Sequence, residues 1–213
     1  GTYQADGGTM EGSAALINGE VRVTRSSSSP TTIPLRGAVT LTTDNLTNTL
    51  LWVQGGGHGY HGSLTSPGGF ANGGTIRLQT ISGGYASDLI VITGALRNAS
   101  SGVLEVNTGT GGPRNLTATL DNEGLLAIEP GITLYCHGTN RIWNQLGGAV
   151  TAAGVCTWAD GPFNLLGGDI AGTLYLRNAT VDVAATATHS NTVIATASST
   201  LRNNLSPQTT IWV

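Results

Sequence analysis

Cys136-His-Gly-Thr-Asn-Arg-Ile-Trp-Asn-Gln-Leu-Gly-Gly-Ala-Val150 lies without gaps over Cys156-Thr-Trp-Ala-Asp-Gly-Pro-Phe-Asn-Leu-Leu-Gly-Gly-Asp-Ile170, at an offset of 20 residues. Cys meets Cys, Trp143 meets Phe163, Asn144 meets Asn164 and one Leu-Gly-Gly meets another. Working outward, a related unit recurs: an apolar residue, any residue, Asn, a short spacer and an alternating apolar strand. Copies centre on Asn18, Asn48, Asn72, Asn98, Asn122 and Asn178, with a last one at Asn203. The Asn-to-Asn spacings are 30, 24, 26 and 24 up to Asn122, then 22 to Asn144 and 20 to Asn164. The spacing of 14 that follows breaks the series and assigns Asn178 to a different corner.

A period of 20 to 30 residues, with short strands and Gly or Asn at the bends, matches one coil of a β-solenoid. A single coil cannot bury its own inner face. Stacking coils at about 4.8 Å supplies a continuous core and pairs each strand above and below. The predicted fold is therefore all-β: a single-stranded parallel β-helix of about eight coils, one domain over residues 1–213, forming a rod of roughly 40 Å. Asn48, Asn72, Asn98, Asn122, Asn144 and Asn164 are assigned inward, each donating its amide to the next coil, with the last three in one vertical file. The competing reading is a β-sandwich with coincidental Asn turns, since alternation alone does not separate parallel from antiparallel pairing.

Composition agrees with a strand-rich chain. Gly, Thr, Ser and Asn fill 93 of 213 positions, charged residues are only 10%, and all nine cations are Arg. Helical surfaces use charged and Ala-rich faces, so a helix bundle or doubly wound α/β fold is disfavoured. A net charge of −3 offers no basic footprint for nucleic acid or an anionic membrane. No apolar run reaches the ~18 residues of a membrane span. The opening Gly1 points to a mature or excised segment of a larger chain.

Phe70-Ala-Asn-Gly-Gly-Thr-Ile-Arg-Leu78, Gly109-Thr-Gly-Gly-Pro-Arg-Asn-Leu-Thr-Ala-Thr-Leu-Asp-Asn-Glu-Gly-Leu-Leu-Ala-Ile128 and Phe163-Asn-Leu-Leu-Gly-Gly-Asp-Ile170 resemble the β-strand repeats of very large secreted bacterial proteins. The likeness covers about residues 50 to 183. It implies a right-handed β-helix within a multidomain, adhesin-like surface polypeptide, placed outside the cell or on its surface. It carries over no catalytic residue.

If each apolar pair points inward, the residue between points outward. The repeat alignment then predicts a surface column of Arg22, Trp52, Arg77, Glu105, Ala127, Asp182 and Trp212. Trp52 between Arg22 and Arg77 reads as a cation–π and ion-pair ladder, or as a platform on which an indole covers a sugar ring while Arg holds its hydroxyls. The Gly-rich excursion 55–62 adds Tyr60 as a ligand contact and His58 with His61 as a weak metal pair. His137 and His189 read as surface or turn residues. Trp143 and Phe163 read as an internal aromatic stack. Cys136 and Cys156 are expected on neighbouring coils, as a disulfide or as a buried thiol pair.

The twelve acidic residues scatter one or two per coil, without the clustered carboxylates of polysaccharide cleavage. Thr-x-Thr pairs at Thr40, Thr108, Thr117 and Thr186 share no register, which counts against a flat ice-binding face. Asn-x-Ser/Thr sequons at Asn45, Asn98, Asn115, Asn178 and Asn204 follow from composition. The expected function is a non-catalytic extracellular or cell-surface module for adhesion, extension or scaffolding, without metal or cofactor. Its open final strand implies continuation of the chain or end-to-end self-association. The alternatives are a carbohydrate-binding module using Trp52, Arg77, Arg22, Tyr60 and Trp212 on a polysaccharide or cell-surface glycan, and a polysaccharide lyase or hydrolase.

Overall fold

The structure, a computed structural model, describes residues 1–7, 14–56, 59–184, 191–203, 205 and 207–213. Twenty strands join into one sheet and pair in parallel throughout. No helix occurs among the described residues, hence none long and apolar enough to cross a membrane. The chain winds as a β-solenoid of about nine turns. Parallel pairing excludes the β-sandwich, whose hairpins require antiparallel neighbours.

One turn shows the plan. Gly62–Ser66 lies on a first face, Phe70–Asn72 on a second and Thr75–Thr80 on a third; Ser87–Asn98 then covers the first and second faces of the next turn. Side chains alternate in and out, so Arg114–Asn122 shows strict alternation of buried and half-buried residues. Inward residues stack as columns through the rod. On the first face Leu64, Leu89, Leu116, Cys136, Trp158 and Leu176 follow one another. On the second face the file is Phe70, Leu96, Leu120, Trp143, Phe163 and Val181. Leu35, Val53, Leu78, Val106, Ile128 and Ala152 fill the third.

A second inward file on the second face is polar. Asn45 donates Nδ2 to Asn72 Oδ1 at 2.7 Å, Asn72 to Asn98 at 2.9 Å and Asn98 to Asn122 at 2.8 Å; Asn122 then donates to Gln145 Oε1 at 3.0 Å. All five side chains are buried. The second amide hydrogens of Asn45, Asn72 and Asn98 go to the carbonyls of Thr75, Val103 and Leu125, so the ladder ties the second face to the start of the third. Gly102 and Gly124 make room for it: a Cβ at Gly102 would collide with Asn98 Oδ1, and one at Gly124 with Asn98 Nδ2.

Three assignments are corrected. Asn48 is exposed, in the left-handed region at φ 61°, and donates Nδ2 to Ser27 O; Asn45, three residues earlier, enters the ladder. Asn144 is opposite Asp121, and Gln145 stands over Asn122, so Asn122, Asn144 and Asn164 do not form one file. Asn144 and Asn164 instead build an outward file, with Asn144 donating to Asp121 Oδ1 and Asn164 to Asn144 Oδ1, each at 2.7 Å. The ungapped overlay holds only in part: Trp143 is opposite Phe163, but Cys136 is opposite Trp158 and Leu134 opposite Cys156. The bend from Cys136 to Trp143 is two residues longer than the bend from Trp158 to Phe163, so the first face is offset by 22 and the second by 20. Asn178, at φ 48°, sits at another corner and donates to Asp160 Oδ1.

Candidate functional site

On the third face the outward column runs Pro34, Trp52, Arg77, Glu105, Ala127. Arg77 adjoins both predicted neighbours. Its guanidinium carbon lies 5.9 Å from the Trp52 ring centroid, and its Nε donates to Glu105 Oε2 at 2.7 Å. Trp52 is half-buried, and its indole Nε1–H makes no hydrogen bond among the described residues. One face of the indole is thus occupied by Arg77, whose charge is balanced by Glu105. A groove of about 480 Å³ adjoins them, lined in part by Thr47, Asn48, Thr75, Arg77, Ser101 and Glu105.

The remaining members of the predicted column lie elsewhere. Arg22 is on the first face, where its Nε donates to Glu20 Oε1 at 2.7 Å; Pro34 takes the place beside Trp52 that was assigned to it. Asp182 is opposite Asn164 on the second face. Trp212 is opposite Ile194 on the first face and is exposed. The repeat unit places a residue on a strand, but irregular bends let successive units present that strand on different faces.

Tyr60 is exposed on the Gly-rich excursion, its carbonyl accepting the Gly56 N–H at 2.8 Å. His61 accepts the Ala86 N–H at Nδ1 (2.9 Å) and packs edge-on to Tyr85 at 5.4 Å. This fixes its tautomer and commits it to holding the next turn in place. His58 and His189 lie outside the described residues, as do Thr186 and Asn204. Among the described residues no group of three or more His, Cys, Asp or Glu is placed to hold a metal ion.

Cys136 and Cys156 are both buried free thiols. They sit diagonally on adjacent turns because of the two-residue slip. Burial, then the contact with Cys156, pushes the Cys136 thiol well above its ordinary value, which removes nucleophilic character.

Exposed carboxylates tie turns together. Glu123 lies below its ordinary range because Arg97 donates Nε and Nη2 to it at 2.8 and 3.0 Å; Glu20 is lowered by Arg22 and then Thr42. Glu129 is lowered by the backbone N–H and then the hydroxyl of Thr108.

Repeat alignment missed a second aromatic array. On the first face the outward residues Tyr135, Thr157, Tyr175, Ile194 and Trp212 follow one another on successive turns. The signal was present locally: Leu134 and Cys136, and likewise Leu174 and Leu176, are inward pairs that leave the Tyr between them outside. Fold and surface together define a parallel β-solenoid repeat protein. Comparison of the chain with protein-family models, with curated proteins and with solved structures finds no match.

Proposed function

We propose that this β-solenoid works outside the cell or on its surface as a non-catalytic rod that extends, adheres or scaffolds. The observation that carries the reading is the axial continuity of the core. Parallel rungs and a buried amide ladder link turn to turn, so a displacement at one end is resisted along the whole stack. Nine turns at about 4.8 Å make a stiff spacer of roughly 43 Å, a length that a random linker of this size does not hold. Resemblance to secreted bacterial repeats supports the location and the adhesin-like context. Sugar recognition through Trp52 and Arg77 is less favoured, because Arg77 covers the indole and is paired with Glu105.

The test places the chain between a cell-surface anchor and an epitope, and measures the height of the epitope by single-molecule localisation. A fixed gain near 43 Å, lost when the chain is unfolded in denaturant, supports the rod. An epitope height like that of a Gly/Ser linker defeats it. Release of reducing or unsaturated ends from any of a panel of polysaccharides would instead make the chain an enzyme.

A further inference from the structure

The outward column of the first face has a regularity that the core does not require. From Asn115 it runs Tyr135, Thr157, Tyr175, Ile194, Trp212, one residue per turn. Every second position is aromatic. Two rungs separate Tyr135 from Tyr175 and two more separate Tyr175 from Trp212, so the rings recur at about 9.6 Å along the rod axis. Tyr135 is 45% and Trp212 63% exposed, and Tyr175 is half-buried. These side chains close no core and make no aromatic contact with one another.

The columns on either side complete the surface. Thr133, Val155, Thr173, Thr192 and Thr210 occupy one flank; His137, Ala159, Arg177 and Thr196 occupy the other. No carboxylate stands on these three columns from Asn115 to Trp212, although the chain as a whole carries a net charge of −3. Arg177 is exposed and forms no ion pair among the described residues. The stripe is thus a row of alternate aromatic residues with threonine hydroxyls along one edge, broken by Val155, and a guanidinium without an ion pair on the other.

We propose that Tyr135, Tyr175 and Trp212 form a binding stripe for an extended β-1,4-linked polysaccharide lying parallel to the solenoid axis. Successive rings of such a chain turn over, so equivalent sugar faces recur every second residue, at close to two rung spacings. The three aromatics thus meet every second pyranose by the same face, whose C–H groups pack on the rings. The threonine hydroxyls exchange hydrogen bonds with the equatorial hydroxyls at the edges of the glycan. Arg177 beside Tyr175 complements a ring carboxylate: the nearest acid, Asp160 at the adjoining corner, accepts from Asn178 and forms no ion pair with Arg177, so uronate-bearing chains bind more tightly than neutral ones. The stripe is separate from the Trp52–Arg77 column and independent of the rod reading, since it requires only the register of the first face.

Affinity electrophoresis and calorimetry with cellohexaose, a β-1,4-mannuronate hexamer and, as control, an α-1,4-linked maltohexaose test the stripe on the whole chain. Both β-linked probes bind and the α-linked one does not, because its helical twist puts rings out of phase with the rungs. Tyr175→Ala and Trp212→Ala each weaken binding about tenfold, in keeping with loss of one aromatic contact, with circular dichroism unchanged. Arg177→Ala removes the preference for the mannuronate hexamer and leaves cellohexaose binding in place. Trp52→Ala changes neither. Failure of both β-linked probes to bind, equal binding of the α-linked probe, or loss of binding in Trp52→Ala with Tyr175→Ala unaffected overturns the proposal.

Discussion

A single amide shows how much one side chain carries in this architecture. Asn98 donates to Asn122 Oδ1 and Leu125 O while accepting from Asn72. Truncation to Ala strands the Asn72 amide hydrogen and the two acceptors in a fully buried site, at about 1–3 kcal/mol per uncompensated group. Asn98→Ala should lower unfolding free energy by about 3 kcal/mol in urea titrations; a loss below 1 kcal/mol would mean that the file relaxes around the gap. The sequence displayed the recurring Asn but merged two jobs. Asn45, Asn72, Asn98 and Asn122 bond along the axis, whereas Asn18, Asn48, Asn140 and Asn178 hold left-handed bends. Two polar residues close together in a short bend differ only in the face they meet, and a slip of one exchanges inside for outside. Asn48 for Asn45, and Asn144 for Gln145, are errors of that kind. The thiols give a second residue-scale test. Cys136 and Cys156 should resist a thiol reagent in the native chain at pH 8, since both are buried out of its reach and burial also opposes the Cys136 thiolate, and both should react in denaturant. A titre below two in denaturant would indicate oxidation.

At the scale of the strand, the interior tolerates a change of chemistry where volume is kept. The polar file that begins at Asn45 continues past Gln145 to Leu165 and Val183, both buried, once the neighbouring column turns aromatic. Trp143 is edge-on to Trp158 at 5.8 Å and to Phe163 at 5.4 Å, and its Nε1–H reaches Gln145 Oε1 at 3.3 Å. Phe163→Ala should cost about 3–5 kcal/mol, as large-to-small changes in a packed core do, and Phe163→Leu less than about 1.5 kcal/mol. Equal losses from the two would show that ring geometry, not filled volume, stabilises these turns. The aromatic stack was legible because Trp143 and Phe163 occupy matching places in the overlay. The slip beside it was not, because bend length changes register without leaving a pattern of its own.

For the whole molecule, stability is the sum of near-neighbour contacts between turns, so it should vary along the axis. Glu20, Glu123 and Glu129 bridge turns at three levels, and each titrates below its ordinary value of 4.5. A carboxyl whose folded pKa is depressed contributes stability that is present above the unfolded value and is lost as pH falls through the folded one. Melting temperature should therefore be flat from pH 7 to 5 and decline below about 4.5, modestly, because these pairs are exposed and screened. Glu123→Gln should flatten part of that decline, and an unchanged acid limb would remove this pair from the account.

The axial arrangement also bears on the binding stripe. Among the described residues, the rungs of Thr2–Ala5 and Thr209–Trp212 are each paired with a neighbour on one side only, whereas Ser87–Asn98 and Arg114–Asn122 lie between neighbours on both. Amide hydrogen exchange should therefore be slowest in the central turns and faster toward Trp212. A glycan laid from Tyr135 to Trp212 crosses the rungs of that faster region and ties them to the slower centre. Saturation with the mannuronate hexamer should thus slow exchange in Asn191–Thr196 and Thr209–Trp212 more than in Gly62–Ser66, which shares the face but lies outside the stripe. Equal slowing of all three segments would mean that the sugar acts through general stabilisation. Slowing confined to one terminal rung would mean that it contacts a single residue instead of running along the axis.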